Sequence, residues 1–267
     1  MATLRARQML GKYRIDRRLG EGGFATVYAA TDTIEGLRVA LKIPHAEIID
    51  DEVLSDLCHE VRIAVRLEHG GILSPRFAGH YENQFIISFP LGEETLHERL
   101  SRRMSLEKSL DLVEQMLEAV AHAHRQKILH CDIKPENFIL FPENRIRLSD
   151  FGIARVAQKT VAGNGTGTVG YMAPEQAMGS PSLRSDVFSL GLILCRMYSG
   201  QWPSYPFDWP PPGHARLRQK LHADLIAVIR RAIDLNPRKR YRDADQMLRA
   251  FQPAKRLTLR RHTRRRQ

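Results

Sequence analysis

The apolar residues of this chain change period near residue 90, and that change restricts the fold more than any other feature of the sequence. Before it, apolar residues alternate as they do on strands. Tyr13 to Leu19, Phe24 to Thr31 and Leu37 to Ile43 read this way, with turn residues between them, and Phe77 to Tyr81 and Gln84 to Phe89 resume the pattern. One helix interrupts them: Leu54, Leu57, Val61, Ala64, Val65 and Leu67 recur at helical spacing. After Gly92 the helical period takes over. Ser105 is placed to cap a long helix carrying Leu106, Leu110, Val113, Leu117 and Val120. Further helices are predicted around Asp186 to Tyr198, Asp224 to Ile233 and Ala244 to Phe251, with a Pro-rich loop from Trp202 to Gly213. The predicted class is α+β: a small antiparallel β lobe with one helix (13–90), then a larger, mainly helical lobe (91–251). Residues 1–12 form an extension and 252–267 a basic tail. The joint falls near Ser88 to Gly92, and clefts between such lobes favour ligands.

Charge and composition exclude several alternatives. The net charge is +11, but residues 255 to 267 hold seven Lys or Arg and no acid, which leaves +4 for the rest. The basicity therefore says little about the folded part. No apolar run approaches the ~20 residues of a membrane span, and the first residues lack the apolar core of a secretory signal. Three separated cysteines, Cys58, Cys131 and Cys195, make no disulfide framework and suit a reducing cytoplasm.

Four segments carry candidate chemistry, and each has an ordinary reading beside the functional one. Gly20-Glu-Gly-Gly-Phe-Ala-Thr-Val27 is either a Gly-rich hairpin turn or a loop whose amides can approach phosphates. Lys42 ends the strand Val39-Ala-Leu-Lys42; it points to solvent or needs a counter-charge, for which Glu60 on the next helix is the natural partner. In His130-Cys-Asp-Ile-Lys-Pro-Glu-Asn137, Asp132 could accept a hydroxyl proton, Lys134 neutralise phosphate and Asn137 reach a metal; the alternative is a polar turn. Asp150-Phe-Gly152 follows the strand residues Ile146 and Leu148, and a carboxylate there can hold a hard cation at a sharp turn.

Together with Ala173-Pro-Glu175, these segments occur in one order and spacing that resembles the eukaryotic-type protein kinase family, from about Tyr13 to Phe251. The resemblance implies a serine/threonine protein kinase that moves the γ-phosphoryl group of Mg-ATP to a protein Ser or Thr hydroxyl. Gly20, Gly22 and Gly23 would cover the phosphates, with Leu19 and Glu21 beside them. Lys42 would hold the α- and β-phosphates, oriented by Glu60. Val27, Ala40 and Ile139 would enclose the adenine, with Ile87 behind it and Ser88, Phe89 and Pro90 as the hinge. Asp132 would be the catalytic base and Lys134 its neighbour, while Asn137 and Asp150 would hold magnesium. Ala64, Phe77, His130 and Phe151 match the stack that links the lobes, Glu175 would pair with Arg240, and Asp186 would brace the catalytic loop. Lys134 and Thr168 carry the serine/threonine mark, and DIKPEN, YMAPEQA and NPRKRY resemble the bacterial branch.

The chain departs from the family pattern in places. Ala25 replaces the third lid glycine, Ser88 the usual hinge acid, and Cys131 the Arg before the base; the Pro-rich loop after Gly200 replaces some expected helix. That Arg ordinarily binds a phosphorylated activation-loop residue. Its absence predicts an enzyme not strictly dependent on phosphorylation of Thr160 or Thr166, with Arg155 or Lys159 partly substituting and Thr168 structural. His122, His124 and His130 are close in sequence but are not read as a metal site. Two other readings are a pseudokinase scaffold and a polyanion-binding module. The Arg-rich end, 255–267, could meet a polyanion, anionic lipid or an acidic partner, or simply be solvated. Oligomeric state, physiological substrate and activation mechanism have no signature in the sequence.

Overall fold

The computed structural model describes residues 4–82, 84–151 and 169–265. Gly152, Arg155, Lys159, Thr160, Thr166 and Thr168 lie outside the described residues. The chain divides into two compact units. Among the described residues, the first comprises 4–68, Ile72–Glu93 and Phe151; the second comprises His69–Gly71, Glu94–Asp150 and 169–265.

In the first unit the chain forms β1 (Met9–Leu10), β2 (Tyr13–Glu21), β3 (Ala25–Asp32) and β4 (Leu37–Pro44). Helix α1 (Asp51–Arg66) follows, then β5 (Phe77–Tyr81) and β6 (Gln84–Pro90). The strands make one antiparallel sheet in the order β1-β2-β3-β4-β6-β5. One face buries Tyr13, Ile15, Tyr28, Val39, Leu41 and Ile86. The other packs Phe85 and Ile87 against Val53 and Leu57 of α1. Helix α1 begins where Asp50 accepts the Val53 amide at 2.8 Å, with Asp51 and Glu52 in its first turn and Arg66 in its last. Both ends thus oppose the helix dipole.

The second unit begins with β7 (Glu94–Thr95), α2 (Leu96–Arg99) and α3 (Leu106–Arg125), the last capped by Ser105 as its sequence predicts. Strands β8 (Phe138–Phe141) and β9 (Arg145–Leu148) complete a three-stranded antiparallel sheet. The helices α4 (Pro174–Ala177), α5 (Leu183–Ser199), α6 (His214–Lys220), α7 (Ala223–Ala232) and α8 (Ala244–Arg264) follow. Helix α5 is buried almost all round. A methyl group at its Gly191 would come within 2.7 Å of Ala232 and Ile233 side-chain atoms, so glycine sets the close approach to α7. The α+β class is thus the observed one. Helix α6, hidden behind the Pro-rich loop, was absent from the sequence reading.

The C-terminal boundary needs correcting. Residues 252–264, expected as a solvated basic tail, continue α8. Ala244, Met247, Phe251, Ala254 and Thr258 lie three or four residues apart and are all buried, so one stripe runs past residue 251. The helix tolerates Pro253 inside it, although an interior proline costs about 3 kcal/mol. Lys255 Nζ lies 2.5 Å from Asp111 and 2.7 Å from Glu114 of α3. Burial works against the charge of Lys255, yet the two carboxylates raise its pKa above the usual ammonium value. Arg261 donates to the carbonyls of Leu221 and Arg218, and Arg265 to that of Gln219.

Truncation after Phe251 is therefore expected to remove about 2–4 kcal/mol, through lost burial and unsatisfied carbonyls. For a domain of this size that is a fall of roughly 5–15 °C in melting temperature, readable by scanning calorimetry. An unchanged melting curve would show that the extension of α8 packs without consequence.

Candidate active site

The glycine-rich hairpin joins β2 to β3. The Gly22 amide donates to the Ala25 carbonyl at 2.9 Å, and Gly20 pairs with Val27. A methyl group at Gly20 or Gly23 would meet nothing within 4 Å. Crowding inside the unit therefore does not demand glycine there. Leu19 and Glu21 end β2 on its exposed part.

Cross-strand register sets the next side chains. Lys42 lies opposite Val27 on one side and Ile87 on the other, and Ala40 lies opposite Phe89. Directly opposed residues share a face. Lys42, Val27 and Ile87 thus share the face on which Ile87 meets α1. Glu60, on α1, is buried at 8% exposure. Ser88 is buried within β6, and its carbonyl accepts the Arg76 amide at 2.7 Å; Pro90 ends the strand opposite Val39. Ala64 and Phe151 are buried and Phe77 half-buried in this unit, whereas His130 belongs to the second.

In the second unit the loop before β8 brings three predicted residues together. Lys134 Nζ lies 2.8 Å from Asp132 Oδ2. Asn137 Nδ2 donates to the same oxygen at 2.9 Å and to the Asp132 carbonyl at 2.8 Å. Ser149 Oγ lies 3.1 Å from both the Asn137 carbonyl and Asp150 Oδ2, tying the Asp150 turn to the loop. Ile139 is the half-buried residue of β8, opposite Thr95.

The loop is held by its main chain. Asp186, 1% exposed near the start of α5, accepts the His130 amide on Oδ2 and the Cys131 amide on Oδ1, each at 2.9 Å. His124 Nε2 lies 2.9 Å from Asp186 Oδ2, while its Nδ1 accepts the Ala244 amide at 3.0 Å. That second bond leaves the proton on Nε2, so the ring donates to the carboxylate. Burial alone would raise the Asp186 pKa, but the His124 donor, nearby histidines and the His130 amide together hold it below the ordinary carboxylate range. Gln176 Nε2 donates to the Cys131 carbonyl at 2.5 Å. Cys131 sits at φ 63° and Asp150 at φ 61°. A non-glycine residue in this region is strained by about 1–2 kcal/mol, and such strain gathers at functional turns. His130 Nδ1 accepts the Asp132 amide at 3.2 Å and its Nε2 lies 2.8 Å from the Ser149 carbonyl.

Next to Gln176, Glu175 joins a buried ion pair. Arg240, 2% exposed, meets Glu175 with Nη1 at 2.7 Å and Nη2 at 3.0 Å, and Ser185 donates to Glu175 at 2.7 Å. His124, Gln176 and Ser149 were not singled out as functional in the sequence. Their roles arise from burial beside Asp186, Cys131 and Asp150, which no local pattern records.

One unit is thus a sheet with an open glycine hairpin, and the other is helical with a loop clamped by Asp186. The protein kinase domain model matches residues 13–259, and the chain belongs to that family. It is 33% identical over 260 residues to the serine/threonine-protein kinase PknA of Mycobacterium tuberculosis, covering 87% of this chain and 58% of that protein. It is 30% identical over 262 residues to the serine/threonine-protein kinase PrkC of Bacillus subtilis, covering 90% and 40%. The chain thus spans about half the length of the curated relatives it matches. The crystal structure of the Mycobacterium tuberculosis PknI kinase domain superposes with a TM-score of 0.73 at 25% identity, covering 95% of this chain and 100% of that one.

Proposed function

We propose that this chain is a serine/threonine protein kinase that transfers the γ-phosphoryl group of Mg-ATP to protein hydroxyls. The observation that carries the reading is the Asp132, Lys134 and Asn137 cluster. Among the described residues, Lys134 and Asn137 both engage the Asp132 carboxylate on Oδ2. Oδ1 is left to meet a substrate hydroxyl, orient its oxygen and accept its proton as the phosphoryl group leaves ADP. Lys134 then neutralises charge on the transferring group. Lys42, oriented by Glu60, holds the α- and β-phosphates under the amides of Gly20, Gly22 and Gly23. Leu19, Val27 and Ala40 line the base beside Ser88, Phe89 and Pro90.

The donor set suits magnesium. Asn137 commits its amide nitrogen to Asp132, so its oxygen can serve a cation, and Asp150 supplies a carboxylate. Two hard oxygen ligands from protein, with phosphates completing the shell, is the usual magnesium arrangement. When bound, the ion neutralises phosphate charge and aligns the leaving group.

The finer reading is that transfer does not strictly require activation-loop phosphorylation. Its support is that the amide and carbonyl of Cys131 are fixed by Asp186 and Gln176, and a thiol offers no guanidinium for a phosphate. Phosphatase-treated protein and a Thr160→Ala/Thr166→Ala double variant are expected to phosphorylate an exogenous protein within a few-fold of the untreated chain. A hundredfold loss with the fold retained would show that another cationic group replaces the missing Arg. The wider kinase reading is tested by the Asp132 variant discussed below.

Among the described residues no helix is long and apolar enough to cross a membrane. We place the domain in a reducing cytoplasm, which its three free cysteines suit. A polyanion-binding role for 255–267 narrows to Arg256, Arg260 and Arg264. They are exposed and lie four residues apart on one stripe of α8, whereas Lys255, Arg261 and Arg265 are engaged within the unit.

A further inference from the structure

A cavity of about 770 Å³ opens within the second unit, between the turn after α2, the end of α5, helix α6 and the end of α8. Its lining holds five Lys or Arg and a single acid, Glu107. Glu107 already faces His262 at 3.4 Å. Two of the cations are committed: Arg102 to Glu94, and Arg196 to the Tyr171 hydroxyl at 3.0 Å. The side chains of Arg103, Arg216 and Lys220 have no acid or hydrogen-bond partner among the described residues. Uncompensated like charges around one space raise its potential and favour an anion. Burial, then the charge of Arg216, pushes the Lys220 ammonium below its ordinary pKa, as expected for cations crowded without a counter-ion. Tyr198 also lines the cavity and is 2% exposed, its hydroxyl buried beside Ser109.

We propose that this cavity binds a phosphorylated serine or threonine carried on an extended protein segment. A phosphomonoester brings −1.5 to −2 charge and three acceptor oxygens. Three uncommitted cations, two of them guanidinium forks, match that better than they match a lone carboxylate. The space is far larger than one phosphate, and Met104 and Leu106 line it with apolar surface for flanking side chains. A nucleotide fits less well. The one indole at the rim, Trp202, carries Arg196 at 3.5 Å and has Tyr171 at 5.5 Å and His97 at 6.0 Å, which leaves no free platform for a base. The proposal does not rest on the catalytic assignment, because binding here needs neither Asp132 nor ATP.

The test uses the full chain with Asp132→Asn, so that turnover cannot alter the probe. Fluorescence anisotropy is read with a labelled peptide pool built around a fixed phosphothreonine, and with its unphosphorylated twin. The phosphorylated pool is expected to bind at least tenfold more tightly. Adding Arg103→Ala, Arg216→Ala and Lys220→Ala should cancel that preference, whereas Arg242→Ala, outside the cavity, should keep it. If the triple substitution fails to fold, Arg103→Glu alone, on an exposed turn, serves in its place. Equal binding of the two pools, or a preference that survives these substitutions, would overturn the proposal. Displacement by equimolar inorganic phosphate or ATP would overturn its assignment to a peptide-borne phosphate.

Discussion

Asp132→Asn is expected to leave a folded protein whose phosphoryl transfer falls by about a thousandfold or more, in line with the 10²–10⁴ that a positioned general base contributes together with its loss of orienting charge. The replacement is isosteric. An amide oxygen can still accept from Lys134 and Asn137, so the loop keeps its bonds, but the group no longer takes a proton at neutral pH. The side chain is 31% exposed, so the melting temperature should move by less than about 2 °C. Labelled phosphate incorporation into a protein substrate, with melting curves alongside, reads both. Undiminished transfer would sink the assignment of Asp132. Asp150→Ala makes a useful contrast: it should weaken Mg-ATP binding while sparing metal-free nucleotide, because it deletes a hard ligand and leaves the base.

Arg240→Ala should produce the largest loss of stability from a single substitution, about 3–5 kcal/mol, or roughly 6–20 °C in melting temperature. All five guanidinium protons are used: two on Glu175 and one each on the carbonyls of Arg184, Asp234 and Leu235. The group also lies 4.4 Å from the Phe188 ring centre. Alanine would leave a carboxylate and three carbonyls without these donors and open a cavity. The same pair sets an acid limit. Burial raises the Glu175 pKa, but Arg240 and Ser185 outweigh it and hold the carboxyl below its usual value. A depressed folded pKa gives stability that is complete above the unfolded value, about 4.3, and lost as pH falls through the folded one. Melting temperature should therefore drop steeply below about pH 4 in the natural protein, with a shallower slope in Glu175→Gln. Parallel slopes would mean that the pair does not drive acid unfolding.

How far the sequence discloses this architecture depends on where each contact comes from. Helix α3 and its Ser105 cap, and strands β2 to β6, are written in local periodicity and were legible as such, whereas β1 fell in what the sequence suggested was an extension. The path of α8 beyond Phe251 was not, because its buried stripe continues through Ala254 and Thr258, residues that a hydropathy pattern passes over among arginines. Helix α6 was masked by the prolines before it. Asp132, Lys134 and Asn137 share one loop and could be proposed from six residues of chain. The family resemblance carries the Asp186 brace itself, but its links to His124 and Ala244, separated by 120 residues, are invisible to any local reading. The cationic cavity is assembled from four segments, each of which alone looks like an ordinary charged surface.

The clamp also has a mechanical side. The amide that opens α8, at Ala244, bonds to the His124 ring; that ring bonds to Asp186; and Asp186 bonds to the amides of His130 and Cys131. These contacts form a short, stiff linkage from the start of the last helix to the residue before the base. A displacement at the head of α8 is thus transmitted to the turn before Asp132 through one imidazole and one carboxylate. A pull of piconewtons applied there, as in an optical-trap experiment, should slow transfer before it unfolds either unit, with His124 as the weakest link in the train.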